Sequence, residues 1–360
     1  MSNSNHLQAI RRSVNVLALI SVLAICYFAK DLLLPVMLGA LIALTLSPLS
    51  RGLARIGVPH WASAIGLIGI TAITIGAIIY FASGTVSDWM SSARDMGAEL
   101  QAKLSSLFRQ LETVKQASED VANIAGADPA VQEVVIKQPT LISSAMDAVS
   151  SFGATLAVAL VLASFLLASG DMFYTKLVQS FQTMSGKKRA LSMVYDIERR
   201  VSRYLLTIAL INAGLGVCVW LVLTAIGMPY AYIWGVVAFL LNFLPYIGAL
   251  TGVAMVAALS IITFDDIYYA LLAPLSYLLL TTLEGNFVTP MILGRRLELN
   301  SVAVFLTVVL WGWLWGIPGA LIAVPFLVVF KVVSDNIDSM HVMGNFLGAA
   351  DDVPNKQAEM

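Results

Sequence analysis

Charged side chains are scarce in this sequence of 360 residues. Asp, Glu, Lys and Arg make up 12% of it, against roughly 25% in typical soluble domains. Hydrophobic residues make up 59%, and the mean hydropathy is +0.84. So little charge excludes an ordinary soluble domain. Apolar runs long enough to cross a bilayer instead predict an all-α polytopic membrane protein.

Cysteine and histidine are also rare, which argues against several kinds of site. The two cysteines, Cys26 and Cys218, lie inside apolar runs, so a disulfide framework is not supported. The three histidines, His6, His60 and His341, lie outside those runs and have no metal-ligand spacing. The sequence contains neither the phosphate-binding motif G-x-x-x-x-G-K-S/T nor a nucleophile elbow. We therefore expect no enzymatic activity, no cofactor, no metal and no direct use of ATP.

Six apolar runs are long enough to be complete membrane crossings. A helix needs about 20 apolar residues to span roughly 30 Å of hydrocarbon. The runs that reach this length, some with help from flanking residues, are about 13–29, 32–49, 61–83, 150–169, 204–226 and 267–291. The first run is interpreted as an anchor, because it has no small-residue cleavage site and continues into a second run.

Two further apolar stretches, 231–262 and 301–330, fit neither one crossing nor two. Each is about 30 residues long, whereas two crossings need about 40. Each also carries helix breakers in its middle, in NFLPYIG (242–248) and in WGWLWGIPG (311–319). Proline removes a backbone donor and glycine permits a tight reversal. We predict that both stretches are re-entrant helical hairpins, which enter the membrane and return to the side from which they came.

The distribution of positive charge orients these segments. Arg11 and Arg12 place the amino terminus in the cytoplasm by the positive-inside rule. Counting crossings then places 84–149 outside, where it has five Lys/Arg against nine Asp/Glu. It places 171–203 inside, with seven Lys/Arg against three Asp/Glu. Both termini are therefore predicted to be cytoplasmic.

This topology turns the two hairpin tips towards each other. The first hairpin enters from outside and the second from the cytoplasm, so the tips converge near the middle of the bilayer. Opposed broken helices are the best sequence-level indication of a transporter's substrate site, because their unwound main chain must be buried or line a wet cavity. The alternative is a purely structural kink at each tip. The candidate binding residues at the tips are Asn242, Pro245, Gly248, Gly312, Gly316 and Gly319.

Apart from residues that cap the ends, Glu284 is the one ionisable residue inside any apolar stretch. A charge at bilayer depth is costly, and such residues usually face the bundle interior or a wet path. We predict that Glu284 couples transport to protons or cations, or holds a polar solute, with Thr281 and Asn286 beside it. The alternative is structural: Glu284 reaches the membrane surface or pairs with a nearby arginine.

The regions outside the core divide the chain further. Residues 86–118 have apolar positions about every 3.5 residues, typical of a helix that packs on a neighbouring protomer or on the membrane surface. Residues 171–203 contain a basic amphipathic helix on the inner leaflet, or simply a basic cytoplasmic loop. The predicted divisions are membrane helices (1–83), an extracytoplasmic helical insert (84–149), a membrane helix with the amphipathic helix (150–203), a transport core with both hairpins (204–333) and a cytoplasmic tail (334–360).

Two sequence stretches resemble a known family. WGVVAFLLNFLPYIGALTG (234–252) and EGNFVTPMILGRRLELNSVAVFLTVVLWGWLWGIPGALIAVP (284–325) are similar to the signature of the autoinducer-2 exporter (AI-2E) family. The resemblance implies secondary transport without ATP, either export of the small furanose-like signal autoinducer-2 or sodium/proton antiport. It also implies homo-oligomers such as pentamers. The matching positions are Asn242, Pro245, Gly248, Glu284, Asn286, Pro290, Gly294, Gly312, Gly316, Gly319 and Pro325.

Residues and resemblance together predict a secondary transporter of a small polar solute in the bacterial inner membrane. The leading hypothesis is an exporter of the autoinducer-2 type that works by alternating access around the two opposed tips. The alternatives are a sodium(lithium)/proton antiporter of the same family and a non-transporting membrane scaffold. The expected partners are the lipid bilayer, the solute, protons or sodium, and further copies of the chain. Nucleic acid is not expected, because the sequence lacks a basic face.

Overall fold

The computed structural model describes residues 2–81, 102–103, 105, 139–170, 172–179, 183–245, 247–293, 299–337 and 340–348. Within these ranges the regular structure is helical, apart from an isolated β-bridge between Leu299 and Gly348. The helices are α1 (Ser2–Phe28), α2 (Lys30–Arg55), α3 (His60–Phe81), α4 (Pro139–Ala168), α5 (Met172–Gln179), α6 (Met184–Ile226), α7 (Ala231–Leu241), α8 (Ile247–Thr263), α9 (Ile267–Ala270), α10 (Leu272–Leu283), α11 (Thr289–Leu293), α12 (Ser301–Asn336) and α13 (His341–Leu347). A π-helical segment, Glu284–Val288, joins α10 to α11. The all-α class is confirmed.

Five helical segments of the described chain are long and apolar enough to cross a membrane. By length and composition alone they are Lys30–Arg55, His60–Phe81, Leu191–Ile226, Ile267–Leu293 and Ser301–Asp335, the last of which is interrupted at Gly316. Shorter apolar helices cover Ser13–Phe28 and Phe152–Ala168, so each of the six predicted crossings falls on an apolar helix. Many exposed side chains are also large and apolar, and Phe28, Ile73 and Leu250 are each at least 73% exposed. The protein is a multi-pass membrane protein.

Helix α6 is longer than the sequence patterns predict. We expected an amphipathic helix within 171–203 and a separate crossing at 204–226, but one helix of 43 residues covers Met184–Ile226. The hydropathy changes near residue 203, yet no glycine or proline interrupts 187–213, so nothing ends the helix there. The helix packs against α2, α7, α10 and α12 and is the central element of the fold.

The first predicted hairpin is α7, a short turn and α8. Helix α7 has 11 residues and is about 17 Å long at 1.5 Å per residue, too short to cross the bilayer. The reversal is tight, because a Cβ added at Gly248 would overlap the carbonyl oxygen of Leu241. Only glycine fits so close to a neighbouring main chain. The predicted reversal in 242–248 is confirmed.

The second predicted hairpin lies within α12 and reverses at Gly316. This residue has φ 68° and ψ −148°, a region essentially restricted to glycine. A Cβ added at Gly312 would lie 3.7 Å from the Cβ of Ala320, although eight residues along a straight helix are separated by about 12 Å. The chain therefore folds back into two arms, 301–315 and 317–336.

The two hairpins pack in different parts of the molecule. The first contributes to a buried cluster with α6 and α10, in which Trp234 contacts the same core as Val219 and Tyr277. The second packs against the amino-terminal helices, in a cluster that includes Leu34 and Trp311. The first hairpin is therefore supported by helices from the middle of the sequence, and the second by helices from its amino-terminal end.

The predicted insert is described only in small part. Most of 84–149 lies outside the described residues, and so does the predicted helix 86–118 except at 102–103 and 105. The ammonium of Lys103 donates to the carbonyl oxygens of Ile262, at 3.0 Å, and Phe264, at 3.3 Å. The insert thus touches the end of α8, at the base of the first hairpin. Its side of the membrane and the domain divisions stay predictions.

Candidate functional site

Asn242 lies in the turn at the tip of the first hairpin, directly after α7. Its Nδ2 donates a hydrogen bond of 2.8 Å to Oδ1 of Asn212 in the middle of α6. Asn212 is only 1% exposed, so this bond joins the tip to the centre of the longest helix in the described chain. Pro245 lies in the same turn, and Gly248 lies in the first turn of the return helix. Among the three predicted residues of this tip, Asn242 makes the side-chain contact.

The tip of the second hairpin is surrounded by tryptophans. The indole Nε1 of Trp315, next to Gly316, donates to the carbonyl oxygen of Cys26 at 2.9 Å. Cys26 lies in the last turn of α1, where carbonyls lack partners within the helix. Trp313 stacks on Tyr27 with ring centroids 6.0 Å apart. The side chains that pack around this tip are therefore aromatic, and Trp315 and Trp313 anchor the tip to α1.

Gly312 and Gly319 lie on the two arms that flank Gly316. A Cβ added at Gly319 would overlap the carbonyl oxygen of Trp311, so the arms are in close contact. Gly316 thus lets the chain reverse and Gly319 lets the arms approach, which are backbone roles, whereas an added Cβ at Gly312 would make only an ordinary contact. A side-chain role in binding is not available to glycine, although its main-chain groups can bind a solute.

The two tips approach each other through apolar side chains. Leu244, in the turn of the first hairpin, packs against the buried cluster that contains Trp311, Trp315 and Ile322 of the second hairpin. This contact agrees with the prediction that the tips converge. Because its members are apolar, the contact lacks directional bonds that would fix the two tips in one arrangement.

Glu284 begins the π-helical segment and is half-buried. The hydroxyl of Thr289 donates to its carboxylate, and the N–H of Thr289 donates to its backbone carbonyl. The wide turn has a local cause, since Pro290 lacks an N–H and its ring clashes with the carbonyl of Asn286 in an α-helix. π-segments within α-helices occur frequently at functional sites. Nothing in the sequence pattern predicted this one.

Thr281 and Asn286 bond to the helix that carries them. The hydroxyl of Thr281 is 3.0 Å from the carbonyl oxygens of Tyr277 and Leu278. Nδ2 of the exposed Asn286 donates to the carbonyl oxygen of Thr282 at 2.9 Å. Their side chains are thus engaged locally, and their assignment to a binding site stays a prediction.

Glu284 is linked to the first tip through α6. The π-segment and α11 both pack against α6, and α6 also carries Asn212, the partner of Asn242. In the part of the chain that the structure describes, no hydrogen bond joins Glu284 directly to either tip. Arg295 and Arg296, the arginines of the alternative interpretation, lie outside the described residues.

A buried carboxylate that the sequence analysis did not single out lies at the other end of α6. Glu198 is 5% exposed and pairs with the guanidinium of Arg51 on α2. Ser47 and Ser202 donate hydroxyl hydrogen bonds of 2.6 and 3.3 Å to the same carboxylate oxygen. The cluster fixes α6 against α2. Sequence patterns placed Glu198 in a basic cytoplasmic segment, where nothing marked it as buried.

Residues 16–339 match the model of the AI-2E family transporters. The chain belongs to the AI-2E transporter family. Its similarity to the AI-2 transport protein TqsA of Escherichia coli is 28% identity over 311 residues, covering 85% of this chain and 86% of TqsA. This result confirms the resemblance that the hairpin sequences suggested.

Other relatives of this AI-2E family member extend over similar lengths. YhhT of Escherichia coli is 26% identical over 315 residues, covering 88% of this chain and 87% of YhhT. YueF of Bacillus subtilis is 24% identical over 323 residues, covering 86% and 85%. Both carry the description putative transport protein. Fold and family together establish the chain as a membrane transporter.

Proposed function

We propose that this AI-2E family member is a secondary transporter that exports a small polar solute of the autoinducer-2 type. It works by alternating access around the two hairpin tips. The observation that carries the proposal is the pair of reversals, at 242–248 and at Gly316, in helices that are otherwise apolar. Unwound main chain is stable at membrane depth only where protein buries it or water reaches it. The similarity to TqsA, an AI-2 transport protein, supports autoinducer-2 as the solute.

The packing of the hairpins supports the motion. The first hairpin is bonded to α6 through Asn242 and Asn212, whereas the second is bonded to α1 through Trp315 and Cys26. Between them lies the apolar contact around Leu244. Movement of one tip away from the other would therefore break neither anchor. We propose that the solute passes where the two tips separate.

A sodium(lithium)/proton antiporter is the second candidate. Glu284 favours it, because a half-buried carboxylate in the apolar segment Ile267–Leu293 can exchange a proton for a cation. The Thr289 hydroxyl that contacts this carboxylate supplies a further oxygen for a small cation. In the exporter, the same carboxylate would couple solute movement to the proton gradient.

The remaining partners and the location are part of the proposal. The positive-inside count supports cytoplasmic termini and an inner-membrane location. The family resemblance suggests a homo-oligomer in which each protomer has its own pathway. Chemical cross-linking in native membranes would reveal the oligomer as a ladder of bands.

Flux measurements in proteoliposomes test the proposed function. We expect the wild-type protein to move autoinducer-2, and we expect Glu284→Gln to lower flux driven by a pH gradient at least about tenfold, or about 1.4 kcal/mol in barrier terms. Asp265→Asn is the control, since Asp265 is fully exposed and its pairing with Lys103, at 3.6 Å, has little energetic weight.

The other results would separate the alternatives. Exchange of sodium for protons without movement of autoinducer-2 would indicate the antiporter. Unchanged flux in Glu284→Gln would remove the coupling role from this carboxylate. The absence of any flux would favour a scaffold and contradict the proposal.

A further inference from the structure

The middle of α6 and helix α7 are in very close contact. A Cβ added at Gly216 would lie 2.6 Å from the carbonyl oxygen of Gly235, and the reverse distance is also 2.6 Å. The backbones of α6 and α7 are thus in direct contact where the two helices cross. One turn before Gly216, α6 presents Asn212 to the tip of the first hairpin. The crossing therefore fixes the position of this amide relative to the tip.

Asn212 lies deep in the protein and uses only part of its bonding capacity. Its side chain has one acceptor oxygen and two N–H donors. The oxygen accepts the 2.8 Å bond from Asn242. Among the described residues, Nδ2 of Asn212 has no hydrogen-bond partner, although the residue is 1% exposed. A buried donor without a partner is unfavourable, so native structures rarely retain one without a reason.

In the described part of the chain, no charged side chain is hydrogen-bonded to this amide pair. The ion pairs of the described residues join Arg51 to Glu198, Lys103 to Asp265 and Lys331 to Asp335, and none of these residues bonds to Asn212 or Asn242. The Glu284 carboxylate bonds to Thr289 in its own segment. The amide pair is thus a neutral polar contact at an unwound tip.

We propose that Asn212 is a solute-binding residue whose Nδ2 donates a hydrogen bond to an oxygen atom of the transported molecule. This inference rests on the proposed function and names the class of solute: a small, neutral molecule rich in hydroxyl, ether or carbonyl oxygens. A metal cation is a poor ligand for this atom, because an N–H group presents its positive end and cations require oxygen donors. The bond from Asn242 holds the amide in the orientation that directs this donor to the solute.

Two substitutions at position 212 separate binding from structure. Asn212→Asp keeps an oxygen for the bond from Asn242 and removes the free N–H, whereas Asn212→Leu removes both. We expect each to raise the KM for autoinducer-2 flux in proteoliposomes at least about tenfold with little change in the maximal rate. We also expect each to abolish the rise in Tm that autoinducer-2 produces in the purified wild type.

Ser260→Ala is the matched structural control. Ser260 is fully buried on α8, and its hydroxyl donates to the Ala270 carbonyl. We expect loss of this hydrogen bond to lower the Tm of the solute-free protein and to leave the KM unchanged. A wild-type KM in either variant at position 212 would overturn the inference and leave the proposed function standing.

The wild-type protein alone provides a second test that does not depend on folding of a variant. Autoinducer-2 is compared with methylcyclopentane, which keeps a five-membered ring but has no oxygen atom, as a competitor of flux. We expect the analogue to compete at least about tenfold less well. Equal competition would overturn the inference.

Two further outcomes of the measurements on the wild-type protein would also contradict the inference about Asn212. Sodium–proton exchange without movement of autoinducer-2 would contradict the assigned solute class, although the protein would still be a transporter. If autoinducer-2 produced neither flux nor a rise in Tm, that result would contradict both the inference and the proposed function.

Discussion

The two hairpins use the same backbone device with different anchors. Both reverse at a turn that requires glycine, but Asn242 joins the first to α6 by an amide pair, whereas Trp315 joins the second to α1 by an indole bond. The first tip therefore has polar groups for a solute, and the second has a wall of aromatic rings around Trp311. The comparison suggests that the first hairpin recognises the solute and that the second closes the path.

The largest effect is expected where a side chain is introduced into the reversals. In Gly248→Ala and Gly319→Ala the new methyl group would overlap a carbonyl oxygen across the hairpin. We expect each to reduce the free energy of unfolding by about 3 kcal/mol or more. Thermal unfolding of the purified protein in detergent measures the loss.

The control for these variants is Gly69→Ala, at a position on α3 where an added Cβ meets nothing within 4 Å. It should leave stability unchanged or raise it by up to about 1 kcal/mol. If both hairpin variants behaved like this control, the close backbone contacts at Gly248 and Gly319 would be contradicted.

A smaller effect is expected from removal of the polar anchor. Asn242→Ala leaves Oδ1 of the buried Asn212 without the donor that it has now. We expect a loss of about 2 kcal/mol in the free energy of unfolding, since an unsatisfied buried acceptor costs about 1–3 kcal/mol. Chemical denaturation with a spectroscopic readout checks this value. A loss below about 0.5 kcal/mol would show that the amide pair is not formed.

The smallest effect is expected at the aromatic anchor. Replacement of Trp315 by 3-benzothienylalanine keeps the shape of the buried bicyclic ring but removes the indole N–H that bonds to Cys26. We expect a loss of about 1 kcal/mol, the net contribution of a neutral hydrogen bond. A larger loss than in Asn242→Ala, measured under the same conditions, would reverse the proposed difference between the anchors.

Local sequence patterns predicted the fold better than they predicted the contacts. Proline and glycine in NFLPYIG and WGWLWGIPG mark both reversals, because their backbone preferences act within a few residues. The anchors join residues that are far apart in sequence, 30 positions for Asn212 and Asn242 and 289 for Cys26 and Trp315. No periodicity or spacing encodes such pairs in a single sequence.

The π-segment and the long α6 show two further limits. A π-turn has no composition of its own, and Pro290 alone did not identify one in advance. In α6, the change from basic to apolar residues near 203 was interpreted as a boundary, but hydropathy reports the surroundings of a helix and not its end. Burial of Glu198 depends on Arg51, from a distant helix, and was likewise not visible in the sequence.

The central claim is that the two hairpins enter the membrane from opposite sides, and labelling of single cysteines tests it most directly. With Cys26 and Cys218 replaced, Asp265→Cys reports the base of the first hairpin and Asn345→Cys the base of the second, and both positions are exposed. A membrane-impermeant maleimide added to intact cells should label position 265 and not position 345. Labelling of both positions, or of neither until the membrane is broken, would contradict the opposed hairpins.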